Sequence, residues 1–327
     1  MATISPLCRE PDGKAALPTL VLITPARNEV QFIELTINSV VAQTVRPIKW
    51  IIVSDGSSDG TDEIVLEFTR KYPWIELIRM PERSERHFAG KVHAFNAGYA
   101  RVAELDFDVI GNLDGDISFD EDYLANLLMK FAENPKLGVG GTSYRERNAE
   151  DDYRFAYDYR FASVEHVPGG CQLFRRRCFE DIGGYKPIKG GLVDTVAAIS
   201  ARMKGWNTET FTDKAFLHHR PTGTAQSSTL SARFKRGEKA YAMGNHPLWE
   251  LFRTAYQMTQ RPFVIGGSAM LGGYMYSLVR RAERPVSREF IAFHRREQMQ
   301  RLRQLFKARW IFTGKNAGAR GKSVEIG

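Results

Sequence analysis

From residue 20 onward, short apolar runs rich in β-branched residues alternate with stretches whose apolar positions recur at helical spacing. The runs at 20–24, 48–54, 74–80, 107–113 and 137–143 read as strands. The segments 30–43, 61–72, 90–104 and 120–133 between them read as helices. Continuous apolar strands separated by helices predict an α/β domain: a mostly parallel, Rossmann-like sheet with both faces covered. Such sheets bind ligands at the carboxyl ends of their strands, so the polar residues just after each strand are the ones to read for chemistry.

Four segments stand there. Arg27, Asn28 and Glu29 follow the first strand, and Asp55, Gly56, Ser57, Ser58, Asp59, Gly60 and Thr61 follow the second. In the latter, a serine or Asp59 can cap the next helix, and the glycines admit close backbone approach. A third segment opens a helix with Gly90 and Lys91 and continues through Ala94 and Asn96 to Gly98. The fourth is Asp114-Gly115-Asp116. Two carboxylates separated by one glycine at a strand end are costly without a cation, and Mg²⁺ or Mn²⁺ with oxygen ligands suits them. Each signal alone has a plain alternative: a turn, a helix cap, a solvated lysine, a satisfied asparagine. Their order along successive strand ends is the stronger sign.

Taken together, these segments resemble the inverting family 2 glycosyltransferases of the GT-A fold, with the resemblance covering residues 19–225. It implies a GT-A nucleotide-diphospho-sugar transferase fold and a nucleotide-sugar donor. Arg27, Glu29, Asp55, Lys91, Asn96 and Asp114 would fall in the donor site, Asp55 near the base and Lys91 near the nucleotide. Asp114 and Asp116 would serve ribose, diphosphate and a divalent cation (Mg or Mn). Pro168, Gly169 and Gly170, ahead of Arg175, Arg176 and Arg177, match the family's Gly-rich stretch, where backbone approaches donor and acceptor. Asp194 falls on the family's catalytic base, although Val193 stands where a Glu is usual; its plain alternative is a first-turn helix acid beside the macrodipole. His218 or His219 would supply a further metal ligand or belong to an ordinary polar loop, and alternation does not decide between the two histidines. Uridine is the family's most frequent base, and nothing in the residues rules out guanosine or thymidine.

Charge divides the 327-residue chain. Of 46 Lys+Arg and 38 Asp+Glu, residues 1–225 carry 27 and 32, a balance of −5, and residues 226–327 carry 19 and 6, a balance of +13. The expected organisation is an N-terminal extension at 1–18, the transferase domain at 19–225 and a helical, basic region at 226–327. In that region, 247–260 reads as a helix with Leu248, Leu251, Phe252 and Ala255 on one side. The uncharged stretch 262–279 follows between Arg261 and Arg280, with Ala269, Gly273 and Ser277 at close-packing spacing. A basic helix over 287–312 carries Arg295, Arg296, Arg301, Arg303 and Arg309 beside Leu302, Phe306 and Trp310. The uncharged stretch reads either as an interfacial or re-entrant element or as a buried helix of a small subdomain. The basic, aromatic tail favours peripheral contact with an anionic bilayer, fitting a lipid-linked or growing glycan acceptor.

The processive synthases' Gln-x-x-Arg-Trp motif is missing; the single Arg-Trp pair is Arg309-Trp310, so one sugar per encounter is expected. No signal-peptide core opens the chain, and Cys8, Cys171 and Cys178 make neither a disulfide framework nor a zinc cluster. A cytoplasmic protein, peripheral on the cytoplasmic face of the membrane, is expected. A nucleotidyltransferase would need a Gly-rich basic loop after the first strand, which is absent. A dinucleotide-dependent oxidoreductase would need Gly-x-Gly-x-x-Gly there. The basic charge suggests nucleic-acid binding, but no such module is present, so no nucleic-acid partner is expected.

Overall fold

The computed structural model describes residues 17–82, 89–147, 153–155, 163–188, 191–220, 229–260 and 262–318, with backbone alone at 153–155, 229 and 308–318. Cys8 and Arg261 lie outside the described residues, as do the side chains of Arg309 and Trp310. The chain divides into two compact units, Met1–Thr222 and Gly223–Gly327.

In the first unit the strands are β1 (Leu20–Ala26), β2 (Lys49–Asp55), β3 (Ile75–Met80), β4 (Val109–Leu113), β5 (Ile117–Ser118), β6 (Leu137–Arg147), β7 (Tyr153–Phe155), β8 (Cys171–Arg175) and β9 (Asn207–His218). The helices are α1 (Ile33–Val41), α2 (Thr61–Lys71), α3 (Ala89–Val102), α4 (Tyr123–Glu133), α5 (Arg176–Asp181) and α6 (Val193–Met203). One sheet runs β3-β2-β1-β4-β8-β6-β9-β5, with β7 beside β6. The first four strands are parallel, as the apolar runs predict. Beyond β4 the sheet is mixed: β8 inserts antiparallel between β4 and β6, and β9 lies parallel to β6. The Gly-rich segment before β8 returns the chain to the ligand edge, so this short strand runs back down the sheet.

Successive residues of β1 divide between two cores. Leu20 and Leu22 pack with Ile33 and Ile37 of α1 and Leu127 of α4, whereas Val21 and Ile23 pack with Val92 and Phe95 of α3. A strand buried on both faces has no polar alternation to show, which explains the unbroken apolar runs. Gly98 lets α3 sit close to the sheet: a Cβ there would lie 2.7 Å from Ile23 Cγ2.

The second unit is helical: α7 (Thr229–Ala242), α8 (Pro247–Met258), α9 (Ile265–Val279) and α10 (Arg288–Gly318). The predicted helix over 247–260 exists, but its burial is inverted. Leu248, Leu251 and Ala255 face solvent while Glu250 and Thr254 are buried. The reason is a polar network that claims the inner face: Asn245 Nδ2 donates to Glu250 Oε2 at 3.1 Å, and Gln298 Nε2 donates to Asn245 Oδ1 at 2.9 Å. Among the described residues, no helix is long and apolar enough to cross a membrane.

Candidate functional site

The ends of β1, β2, β4, β6 and β9 and the start of β8 share one edge of the sheet, because β8 alone among them runs antiparallel. The loops after β1 and β2 are stitched together there. Asn28, at φ +55°, donates its backbone N–H to Ser57 Oγ at 3.1 Å, and its Oδ1 accepts from the Ser58 N–H at 3.0 Å. The Glu29 N–H donates to Thr61 Oγ1 at 2.8 Å, and the Val30 N–H to Asp59 Oδ2 at 3.1 Å. Burial tends to raise the Asp59 pKa, but the Thr61 hydroxyl and the N–H groups of Val30 and Thr61 hold it below the ordinary range. Asp55 is buried beside Arg27, whose Nη1 lies 3.9 Å from its Oδ2.

The two carboxylates of the Asp-Gly-Asp segment part company. Asp114, at the end of β4, pairs with Lys91 from the first turn of α3. Burial lowers the Lys91 pKa, but Asp114, with Asp194 and Asp116 farther off, outweighs it and keeps the ammonium charged. Asp116 instead faces β9: His218 Nε2 lies 3.4 Å from its Oδ1 and Arg220 Nε 3.7 Å from its Oδ2. Burial tends to raise the Asp116 pKa, yet the bond to His218 and the nearby cations hold it below the ordinary range. Pairing of Ile117 with His218 sets this register, and it sends the two histidines to different partners. His218 turns to Asp116; His219 Nε2 meets Ser118 Oγ at 2.9 Å, and its ring stacks on Phe32.

Arg220 also pairs with Glu29, drawing the β1 loop toward Asp116, and lies over the Phe32 ring. The Glu29 carboxyl is pushed up to about 7 by burial and by the Asp116 charge, against the pull of Arg220.

A cavity of about 290 Å³ opens at this edge, lined by Lys91, Asp114, Gly169, Gly170, Asp194 and His218 of the expected residues. Asp194 stands in the first turn of α6, after Leu192 at φ +69°. Gln172 Nε2 donates to the Val167 and Asp194 carbonyls at 3.2 and 3.4 Å, and its Oε1 accepts from the Tyr185 hydroxyl at 2.6 Å. That buried relay ties the start of α6 to β8. Arg27, Glu29, Asp55 and Asp116 stand at the same edge but outside the cavity lining.

Asn96 does not join them. It is exposed on α3 and does not line the cavity, because Val92, Phe95 and Gly98 form that helix's buried face. The cavity asparagine is Asn112 on β4, which sequence reasoning missed. Its Nδ2 donates to the Gly169 carbonyl at 2.7 Å, and its Oδ1 is buried with no hydrogen-bond partner among the described residues. A polar residue inside the apolar run of β4, two before Asp114, was the available signal. Tyr144 and Phe216, stacked with centroids 5.2 Å apart, give the cavity an aromatic wall that no motif announced.

Among the described residues, no three His, Cys, Asp or Glu side chains are grouped to hold a metal ion. Asp114, expected in that set, is committed to Lys91. Asp116 and His218 remain, one carboxylate and one imidazole, and His218 Nδ1 is buried without a hydrogen-bond partner among the described residues. This donor pair fits a divalent cation that draws its other ligands from a diphosphate and water.

Residues 21–183 match glycosyl transferase family 2, and this part of the chain is a domain of that family. Poly-beta-1,6-N-acetyl-D-glucosamine synthase of Staphylococcus epidermidis is 26% identical over 170 residues, covering 48% of this chain and 39% of that protein. The Staphylococcus aureus (strain COL) synthase of the same name is 25% identical over 181 residues, covering 51% and 42%. The chain thus matches about two fifths of the length of these relatives. Among solved structures, the mannosyltransferase PcManGT from Pyrobaculum calidifontis, in complex with GDP-Man and Mn2+, superposes with TM-score 0.56 at 19% identity, covering 88% of this chain and 81% of that one. S. aureus TarS 1-349 in complex with UDP-GlcNAc gives 0.51 at 15% identity, covering 68% and 66%. The fold is the α/β GT-A arrangement these structures share, followed here by a helical region.

Proposed function

We propose that this protein is a divalent-cation-dependent, inverting glycosyltransferase. It moves a hexosyl group from a nucleotide-sugar, a UDP-sugar by preference, to a hydroxyl of a lipid-linked or growing glycan in polysaccharide synthesis. The observation that carries this reading is the convergence of Lys91–Asp114, Asp194 and His218 on one cavity at the strand ends, inside a family 2 domain. The PcManGT complex, which holds GDP-Man and Mn2+, supports the nucleotide and cation part of it.

Asp194 is the group assigned to general-base work. Its carboxylate stands at the cavity wall, where it takes the proton of the acceptor hydroxyl as that oxygen attacks the sugar's C1. The nucleoside diphosphate departs from the opposite face, so a single displacement inverts the anomeric centre without a covalent intermediate. Lys91 offers a fixed positive charge to the diphosphate, and Asn112, bonded to the Gly169 carbonyl, holds the Gly-rich turn in the cavity wall. A divalent cation held by Asp116 and His218 would supply further stabilisation of charge building on the leaving diphosphate.

The test is transfer from α-linked nucleotide-sugars to a glycan acceptor, with the released nucleotide and the product's anomeric coupling read by NMR. Nucleoside diphosphate release with a β-linked product is expected. Release of pyrophosphate, or a retained configuration, would overturn the reading.

A further inference from the structure

We infer that the outward face of α9, with the turn that precedes it, docks on the surface of an anionic lipid bilayer. The inference rests on the second unit alone and is independent of the sugar-transfer reading.

Helix α9 is apolar on its exposed face as well as its buried one. Its inner face sets Gly266, Gly267, Gly273 and Ser277 beside Met270 and Tyr274. Gly267 lies so close to α8 that a Cβ would fall 2.6 Å from the Thr254 carbonyl, and one on Gly273 would fall 2.0 Å from the Phe234 carbonyl of α7. Gly237 on α7 meets the Met270 carbonyl in the same way, at 1.9 Å, so the two backbones touch along a glycine seam. Other large apolar residues of the helix point outward. Ile265, Met275, Tyr276 and Val279 share the exposed face at helical spacing, and Val279 is 77% exposed. α8 likewise exposes apolar residues, with Leu248 and Leu251 outside while Glu250 is only 1% exposed. In water this arrangement leaves a contiguous apolar face exposed; at a lipid surface, an outward apolar face over a closely packed, glycine-lined seam is the favourable distribution.

The turn before α9 adds to it. Phe263, Val264 and Ile265 are three consecutive apolar residues, each more than half exposed, and Val264 is held at φ +58°. A β-branched residue in that region is strained, and here the strain accompanies an outward-facing apolar tip.

Charge selects the occupant. Residues 262–279 carry no charged side chain, while the region from 226 onward carries +13. Arg280 stacks on the Tyr276 ring, 5.0 Å from its centroid, and Arg281 beside it is exposed, so two cations stand at the C-terminal end of the apolar face. An uncharged face that ends in paired arginines, within a region of charge +13, matches an acyl-chain boundary under anionic headgroups. With 15 residues, α9 is roughly 22 Å long, short of the roughly 30 Å of a bilayer core, so it lies along the surface and does not span.

The test is co-sedimentation of the full chain with phosphatidylcholine vesicles with and without about 30% phosphatidylglycerol. Binding to the anionic vesicles, weakened by salt, is expected. The exposed triple variant Ile265→Ser, Met275→Ser, Val279→Ser should lower the bound fraction roughly tenfold, with thermal midpoint and nucleotide binding unchanged. Arg280→Gln with Arg281→Gln should weaken binding and flatten its salt dependence. The inference is overturned if wild type ignores anionic vesicles or if the triple variant binds them like wild type. It is equally overturned if wild type is a dimer that the triple variant dissociates, because the face then covers a second copy.

Discussion

The backbone of Gly169 lies directly against Asp194: a methyl group at position 169 would stand 3.0 Å from the Asp194 Cβ and 3.1 Å from its Oδ2. The Gly-rich turn before β8 therefore fixes where the first turn of α6 can hold its carboxylate. Gly169→Ala should displace that carboxylate while leaving the Lys91 side of the cavity intact. A fall in kcat of about 10- to 100-fold with little change in donor affinity is expected from steady-state kinetics and calorimetry. Equal losses in both would place Gly169 on the donor instead.

Asp194→Asn keeps the shape of the side chain and removes its basicity. Turnover should fall by about 10²–10⁴-fold with nucleotide binding retained. Unchanged turnover would eliminate Asp194 as the base.

Lys91 and Asp114 form a half-buried pair, with side-chain exposures of 39% and 25%. Solvent screening limits its worth, so a double-mutant cycle with Lys91→Met and Asp114→Asn should give a coupling of about 1 kcal/mol in urea unfolding. Additive effects would show that the pair contributes nothing to stability.

Glu29 sets a pH dependence. Its carboxyl is pushed up to about 7 in the folded protein from 4.5, so the folded state holds a proton that the unfolded state releases between these values. The stability this group contributes is full below pH 4.5, falls as pH rises, and is gone above about 7. The thermal midpoint of the unliganded protein, relative to Glu29→Gln, should decline across that window and then level off. Parallel curves for the two proteins would refute the shift.

The glycine seam of the second unit gives a contrast within one helix. Gly273→Ala drives a methyl into the Phe234 carbonyl, whereas at Gly272 the nearest atom to a new Cβ is 3.7 Å away. Gly273→Ala should cost about 3 kcal/mol by overpacking. Gly272→Ala should be neutral, or stabilising by up to about 1 kcal/mol through helix propensity. Urea melts of the two variants decide.

Much of this was legible in the residues, and the limits are physical. The strands β1, β2 and β4 carry their apolar runs because both faces are buried, and the polar segments after them mark the ligand edge. Strand β8 was not legible, since five residues after a Gly-rich turn carry no period that shows direction. Helix α7 was obscured by Arg233, Lys235, Arg236 and Lys239, which dilute its apolar spacing. Asn96, expected in the donor site, follows Phe95 by one position, and about 100° of helical rotation turns it to solvent, away from the cavity lining. Asp114 and Asp116 looked like one site in sequence. The turn between β4 and β5 gives one to Lys91 and the other to His218, a division only long-range pairing decides. Helix α8 followed its apolar period correctly, but that period faces outward, and no single-helix pattern reveals which side is covered.

The most direct measurement is calorimetric titration of UDP, GDP and dTDP, each with Mn²⁺ and with chelator, into wild type and Asp116→Ala. The account predicts that one nucleotide binds wild type in Mn²⁺, with affinity lost in chelator and in the variant. Failure of all three nucleotides to bind, or binding indifferent to both chelator and Asp116, would contradict it.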